Sequence, residues 1–233
     1  AGARAEDAFM TAVSPATLQI LPNEHYKNRE DYTWALAKAI HEEYKAIVDA
    51  GFIVQIDDPA LVDIYDWWFS LNGDMAGYRK WAAFQVEAVN HALEGIPEDR
   101  VRFHICWGSW HGPHNGDVPL KDVVDLLLKV KAQGYSVEAG NVRHEHEWKV
   151  FRDVKVPDGK VLIPGVVSHA TNVLEHPEVV ADRLMNYASV VGRENVIAST
   201  DCGLGGRIHP QLAWAKLKAL REGADLASKQ LWK

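Results

Sequence analysis

Short apolar runs alternate with longer amphipathic segments along the whole chain. Six short runs, rich in β-branched and aromatic residues, are typical of strands: 8–13, 52–57, 102–106, 135–139, 160–167 and 195–203. Six longer segments space their apolar residues as helices do: 31–51, 61–96, 120–134, 144–153, 176–192 and 209–232. LNGD at 71–74 predicts a break in the second of these helices. The pattern therefore predicts six successive β/α units.

Regular strand–helix alternation indicates a parallel sheet with helical crossovers. A doubly wound sheet and a (β/α)₈ barrel both fit this pattern. Two observations favour the barrel: the chain has no glycine-rich dinucleotide fingerprint, and polar residues gather where the strands end. A full barrel needs eight units. We therefore expect an α/β chain, residues 1–233, that forms one partial TIM-type barrel domain lacking two units.

The polar residues at the strand ends are candidate site residues. They are Asp57 and Asp58 after the second strand, His104 and Cys106 at the third, Glu138 at the fourth, Ser168 and His169 after the fifth, and Asp201 and Cys202 at the sixth. Side chains alternate along a strand, so His104 and Cys106 point to the same face. In a barrel all these strand ends converge at one mouth.

Two cysteines, one histidine and one glutamate form a soft donor set that suits Zn²⁺ better than Mg²⁺ or Ca²⁺. The set consists of His104, Cys106, Glu138 and Cys202, and it includes both cysteines of the chain. The alternative is two buried free thiols beside an ordinary His–Glu pair, because free cysteine is often buried. The position of all four at strand ends favours the metal site.

Composition excludes several other classes of protein. The 233 residues carry a formal net charge of −7, which argues against a nucleic-acid or anionic-membrane surface. No apolar run is long enough to span a bilayer, and the first residues, AGARAEDAF, lack the pattern of a signal peptide. We therefore expect a cytoplasmic protein whose two cysteines stay reduced.

Five motifs, in this order, resemble the C-terminal catalytic barrel of cobalamin-independent methionine synthase: FMTAVSP, VQIDDPAL, FHICWG, VEAGN and STDCGLGGR. The resemblance covers essentially the whole chain and points to the short, single-barrel branch. It implies that His104, Cys106, Glu138 and Cys202 are zinc ligands. It also implies that two β/α units precede the first strand in the family and are missing here.

The activity that the resemblance implies is alkylation of a zinc-bound thiolate. The nominal reaction is methyl transfer from 5-methyltetrahydropteroylglutamate to homocysteine. Asp57 takes the place of a carboxylate that pairs with the homocysteine amine, although it could also be a strand-end cap, and Asp58 replaces the usual glutamate beside it. Trp107 is assigned to substrate binding, His169 to proton delivery and Asp201 to orienting the site; for Asp201 the alternative is an ordinary turn carboxylate.

Residues 107–120, WGSWHGPHNGDVPL, form a longer loop than in the methionine synthases and resemble epoxyalkane:coenzyme M transferase, a relative that adds a thiol to an epoxide. His111 and His114 either line the substrate entrance or pack within the loop. HEHEW at 144–148 is expected to be a solvated helix start rather than a metal site. Related uroporphyrinogen decarboxylases need no metal, and the cysteine–histidine set argues against them. A non-catalytic fragment that forms a homo-oligomer through open sheet edges remains the other alternative.

Overall fold

The computed structural model describes residues 7–110 and 112–233. They form two compact units, which interleave along the chain: the first is Ala1–Ile105 with Gly116–Gly134, and the second is Cys106–Asn115 with Tyr135–Lys233. None of the helices in the described part of the chain is both long enough and apolar enough to cross a membrane.

The first unit contains three strands, β1 (Phe9–Val13), β2 (Ile53–Asp57) and β3 (Val101–His104). Its helices are α1 (Pro15–Leu18), α2 (Arg29–Asp49), α3 (Ala60–Ile64), α4 (Met75–Ala92) and α5 (Val124–Leu127). Both strand pairs are parallel, and Asp57 at the end of β2 is in register with Val13 and with His104. The predicted strand–helix alternation is therefore confirmed in this unit.

The capping and the apolar spacing of helix α2 explain why this part of the sequence forms a helix. The Asn28 side chain caps the helix by accepting a hydrogen bond from the Asp31 N–H at 2.8 Å. Apolar residues at helical spacing, including Ile40, Tyr44 and Ile47, form its buried face. The buried Tyr44 hydroxyl donates to the Val13 carbonyl at 2.7 Å, which fixes the helix against β1.

The break predicted at 71–74 is confirmed. Helix α3 continues as a π-helical turn (Tyr65–Phe69) and a 3₁₀ turn (Ser70–Asn72), and the chain then turns at Gly73 with φ +62°. The left-handed conformation suits glycine, which has no Cβ to clash. Asp74 then starts α4 by accepting from the Gly77 N–H at 2.8 Å.

The second unit contains β4 (Gly134–Glu138, beginning at the last residue of the first unit), β5 (Val161–Val167) and β6 (Ser199–Thr200), with helices α6 (Pro177–Val191) and α7 (Pro210–Leu231). Strands β5 and β6 are parallel. Val166 of β5 belongs to a buried core with Leu184 of α6 and Ala227 of α7. The packing of α6 and α7 against β5 holds the end of this strand, and Ser168 and His169 follow directly after it.

Four predicted boundaries are wrong. The helix predicted at 120–134 is a 3₁₀ turn (Leu120–Asp122) followed by the single turn of α5, and 144–153 contains a 3₁₀ helix (Glu147–Arg152). The third and last strands end at His104 and Thr200, so Cys106 and Cys202 lie in the turns that follow. The spacing of apolar residues predicts which residues are buried. The short helical turns bury their apolar residues without forming full-length helices.

Candidate metal centre

The two cysteines lie side by side in the second unit. Their Sγ atoms are 3.9 Å apart, and the two residues form no disulfide. A disulfide would bring the sulfurs to about 2.05 Å. Two thiolates bound to one tetrahedral zinc ion at about 2.3 Å each would lie about 3.8 Å apart. The observed separation therefore fits a shared ion and excludes a disulfide in this structure.

The Cys106 thiol lies close to other acidic groups, the Cys202 thiol and the Glu138 carboxyl. Cys106 is 4% exposed, and Cys202 is half-buried and accepts a hydrogen bond from the Ser109 hydroxyl at 3.5 Å. The hydrogen bond with Cys202, burial and the nearby charge of Glu138 raise the pKa of the Cys106 thiol well above its usual value. Clustered acids of this kind oppose one another's ionisation, and a bound cation would relieve that opposition.

His104 is the last residue of β3 and is buried. Only Ile105 separates it from Cys106 along the chain. The role of His104 as a metal ligand beside Cys106 therefore stays a prediction.

Glu138 ends β4, and its carboxylate is buried and fixed at both oxygens. Oε1 accepts from the Trp107 backbone N–H at 2.9 Å, and Oε2 accepts from the Asn141 side-chain amide at 2.6 Å. Burial and the neighbouring charge of Asp201 raise the pKa of Glu138 to about 8. Glu138 therefore lies in the electrostatic neighbourhood of the thiols, with its oxygens held by donors of its own unit.

Asp201 anchors the turn that carries Cys202. Its Oδ1 accepts from the backbone N–H groups of Ala139 and Gly140 at 2.8 and 2.7 Å, and its Oδ2 accepts from the Asn141 amide at 3.1 Å. Gly165 on β5 makes room, because a Cβ there would lie 2.3 Å from the Asp201 Cα. The structure therefore places Asp201 as the link between the end of β4 and the Cys202 turn.

Trp107 lies in the wall of the site. It is 1% exposed, and its indole stacks on the His144 ring with centroids 3.9 Å apart and planes at 20°. His144 Nδ1 in turn is 2.8 Å from Glu147 Oε2. The expectation that 144–148 is a solvated helix start is wrong for these two residues, because His144 and Glu147 are 3% and 5% exposed. Their i, i+3 spacing on one face was the available signal.

The two predicted substrate carboxylates lie in the first unit. Asp57 is half-buried, and its Oδ1 accepts from the Gln55 side-chain amide at 2.9 Å. Asp58 is fully buried and accepts from the Leu61 N–H at 3.1 Å at the start of α3. Burial raises the pKa of Asp58 to about 6. Asp58 thus has a structural role at the start of α3, and substrate binding by either residue stays a prediction.

The segment after β5 carries His169, which is buried. The Ser168 backbone N–H donates to Glu175 Oε1 at 2.9 Å, and Glu175 Oε2 accepts from the Lys216 ammonium at 2.7 Å. Lys216 lies on α7 and is fully buried. An internal ion pair therefore fixes the segment that holds His169, whose proposed proton delivery stays a prediction.

The long loop after Cys106 is tied to the second unit by two arginines. Arg207 donates to the Ser109 carbonyl at 2.9 Å and Arg143 to the Asn115 carbonyl at 3.1 Å. The His114 ring packs 4.7 Å from that of Trp110. His111 lies outside the described residues.

Comparisons with known proteins identify the family of the chain. The family model described as "Cobalamin-independent synthase, Catalytic domain" matches residues 15–226. Methionine synthase of Saccharolobus solfataricus is 30% identical over 90% of this chain and 54% of its own length. 2-Hydroxypropyl-CoM lyase of Xanthobacter autotrophicus is 25% identical over 94% of this chain and 60% of its own length.

The fold agrees as well. A B12-independent methionine synthase from Shewanella, solved in complex with selenomethionine, matches with a TM-score of 0.77 and 25% identity, over 96% of this chain and 63% of that one. This match shows an α/β fold of the TIM-barrel type found in methionine synthase. The chain spans about half the length of the curated relatives it matches. By its sequence and its fold, the chain belongs to the catalytic-domain family of the cobalamin-independent methionine synthases.

Proposed function

We propose that the chain provides a zinc-dependent catalytic centre that alkylates a small thiol. In this proposal His104, Cys106, Glu138 and Cys202 hold one zinc ion. The observation that carries it is the pair of cysteine sulfurs, which lie 3.9 Å apart without forming a disulfide. When bound, Zn²⁺ supplies the positive charge that keeps a substrate thiol deprotonated near neutral pH.

The surrounding residues hold the donors in place. Asn141 donates to both Glu138 and Asp201, so one amide fixes the carboxylate and the turn that carries Cys202. The stacked rings of Trp107 and His144 are buried, and Trp107 directly follows Cys106 in the chain. A dry, pre-organised site favours reaction of a thiolate, because the ligands need little rearrangement when substrate binds.

The substrates proposed from the family are homocysteine and a methyl-folate. Asp57 is proposed to pair with the homocysteine ammonium, and a buried histidine, His169, to deliver a proton to the leaving group at an imidazole nitrogen. Free thiols at a catalytic centre require a reducing compartment, which supports a cytoplasmic enzyme.

The direct test is a thiol-alkylation assay on the purified, reduced, zinc-loaded chain. Homocysteine and 5-methyltetrahydropteroylglutamate should give methionine, and Cys202→Ser should abolish the product. Ser109→Ala, which removes only the hydroxyl that donates to Cys202, is the matched control and should retain most of the activity. Equal activity in the wild type and in Cys202→Ser would contradict the proposal.

A second candidate is addition of an anionic thiol, such as coenzyme M, to an epoxide. The similarity to 2-hydroxypropyl-CoM lyase supports it, as does Arg102 in the first unit. The Arg102 guanidinium lies 4.0 Å from the Phe9 ring centroid, and burial lowers its pKa to about 10 while Asp57 opposes the shift. Arg102 therefore stays cationic at neutral pH, and it is proposed as the partner of a sulfonate.

Parallel assays with the two thiols separate the two candidate reactions. If the coenzyme M reaction is correct, epoxypropane should be consumed with coenzyme M but not with homocysteine, and Arg102→Gln should raise the KM for coenzyme M. Methionine formation with no epoxide consumption would exclude this second candidate.

A further inference from the structure

The first four residues of the HEHEW segment divide into two buried and two exposed positions. His144 and Glu147 are buried and lie 2.8 Å apart, whereas Glu145 bonds to Arg183 at the surface and His146 is exposed. Placing an imidazole–carboxylate pair in the interior costs desolvation free energy, and apolar residues of the same volume would pack there at lower cost. Packing alone therefore does not account for this pair.

The buried pair reaches Glu138 by two separate routes. In the first, the His144 ring stacks on Trp107, whose backbone N–H donates to Glu138 Oε1 at 2.9 Å. In the second, the His144 backbone N–H donates to the Asn141 side-chain oxygen at 3.1 Å, and the amide of the same side chain donates to Glu138 Oε2 at 2.6 Å. Each oxygen of Glu138 is thus held by a group that His144 contacts.

Glu147 fixes the plane of the His144 ring. A carboxylate on Nδ1 selects the imidazole tautomer and prevents rotation about the side-chain bonds. The ring plane matters here because the rings of His144 and Trp107 are nearly parallel, at 20°. A rotated imidazole would lose the stack and release the Trp107 main chain next to Cys106.

We propose that His144 and Glu147 are positioning residues that set the orientation of Glu138 and of the Trp107 main chain as the site binds its metal. This inference rests on the proposed function, and it predicts a specific effect on metal affinity. Loss of supporting hydrogen bonds around a metal site costs about 10- to 100-fold in affinity.

The test is a Co²⁺ titration of the metal-free, reduced protein, followed by visible absorption. Thiolate coordination gives a sulfur-to-cobalt charge-transfer band, and the weaker ligand-field bands report coordination geometry. The main variant is His144→Phe/Glu147→Leu, which keeps an aromatic ring beside Trp107 but removes the Nδ1–carboxylate contact that fixes the plane of that ring. We expect it to bind Co²⁺ about 10- to 100-fold more weakly, with shifted ligand-field bands.

The same segment supplies matched controls. His146→Phe and Glu145→Leu make the same chemical changes at exposed positions and should leave affinity and spectrum unchanged. Glu147→Gln keeps an acceptor oxygen for His144 and should stay close to wild-type affinity. A Glu147→Gln protein as weak as the double variant would contradict orientation through this hydrogen bond.

The possible outcomes distinguish failure of the positioning role from failure of the proposed metal centre. A wild-type protein with no charge-transfer band contradicts the proposed metal centre itself. A normal wild-type band with unchanged affinity and spectrum in the double variant overturns the positioning role alone. If the double variant does not fold, His144→Gln, which removes the stacked ring, decides the question: about tenfold weaker binding supports the role, and wild-type binding overturns it.

Discussion

Replacing Lys216 by methionine should destabilise the protein strongly. The Lys216 ammonium donates to Glu175 Oε2 and to the Val173 carbonyl, each at 2.7 Å, and the two charged side chains are 0% and 8% exposed. Methionine fills much of the same volume but leaves the Glu175 carboxylate buried without its cation, with the Ser168 N–H still donating to it. Breaking a buried ion pair in this way costs about 3–5 kcal/mol.

That loss should appear as a large fall in melting temperature. For a chain of this size about 1 kcal/mol corresponds to 2–4 °C, so Lys216→Met should lower the Tm by roughly 6–20 °C. Lys218→Met on the same helix is the control, because Lys218 pairs with Glu222 at 3.6 Å on the surface. It should change stability by less than about 0.5 kcal/mol.

A double variant identifies the cause. Lys216→Met with Glu175→Gln removes the buried charge as well as its partner, so it should recover at least half of the lost stability. The assay is thermal unfolding followed by circular dichroism, with urea unfolding for the free energies. If Lys216→Met is no less stable than Lys218→Met, the argument from the buried charge is refuted.

Two further predictions concern stability. Burial raises the pKa of Asp58 from 3.8 to about 6, so its contribution to the free energy of unfolding is largest below about pH 4 and falls as the pH rises to 6. Asp58→Asn should remove this fall of about 3 kcal/mol in the free energy of unfolding, measured by urea unfolding from pH 4 to 8. An unchanged pH dependence would contradict the raised pKa of Asp58. Gly165→Ala should cost about 2 kcal/mol or more, because the new methyl group meets the Asp201 main chain, whereas Gly205→Ala has open space and should be neutral. Equal stability of the two alanine variants would show that the close approach is not required.

Much of the fold can be predicted from the sequence because burial follows the apolar pattern. The strand predicted at 160–167 agrees with β5 to within one residue, since its β-branched residues are nearly all buried. The helices predicted at 31–51 and 176–192 agree almost as closely with α2 and α6, because capping residues and terminal glycines mark their ends. The predicted last strand is too long, because the chain leaves β6 for a turn that the Asp201 carboxylate stabilises.

The candidate site can be predicted in part. The His-x-Cys spacing is local, so the sequence alone predicts that His104 and Cys106 lie close together. The meeting of Cys106 with Cys202 depends on contacts between distant segments; its prediction follows from the expected convergence of strand ends in a barrel and is made specific by the family resemblance. The burial of His144 cannot be predicted in this way, because four charged or polar residues in a row are typical of solvated helix starts. The Trp107 ring packed against it explains why that position is dry.

The central claim is that the two thiols share one metal ion, and zinc analysis with X-ray absorption tests it most directly. Freshly purified, reduced protein should contain about one zinc per chain, with two sulfur ligands at about 2.3 Å. Cys202→Ser should lose most of the zinc, and Ser109→Ala should keep it. Protein without zinc after purification under reducing conditions, or zinc without sulfur in its coordination sphere, would contradict the account.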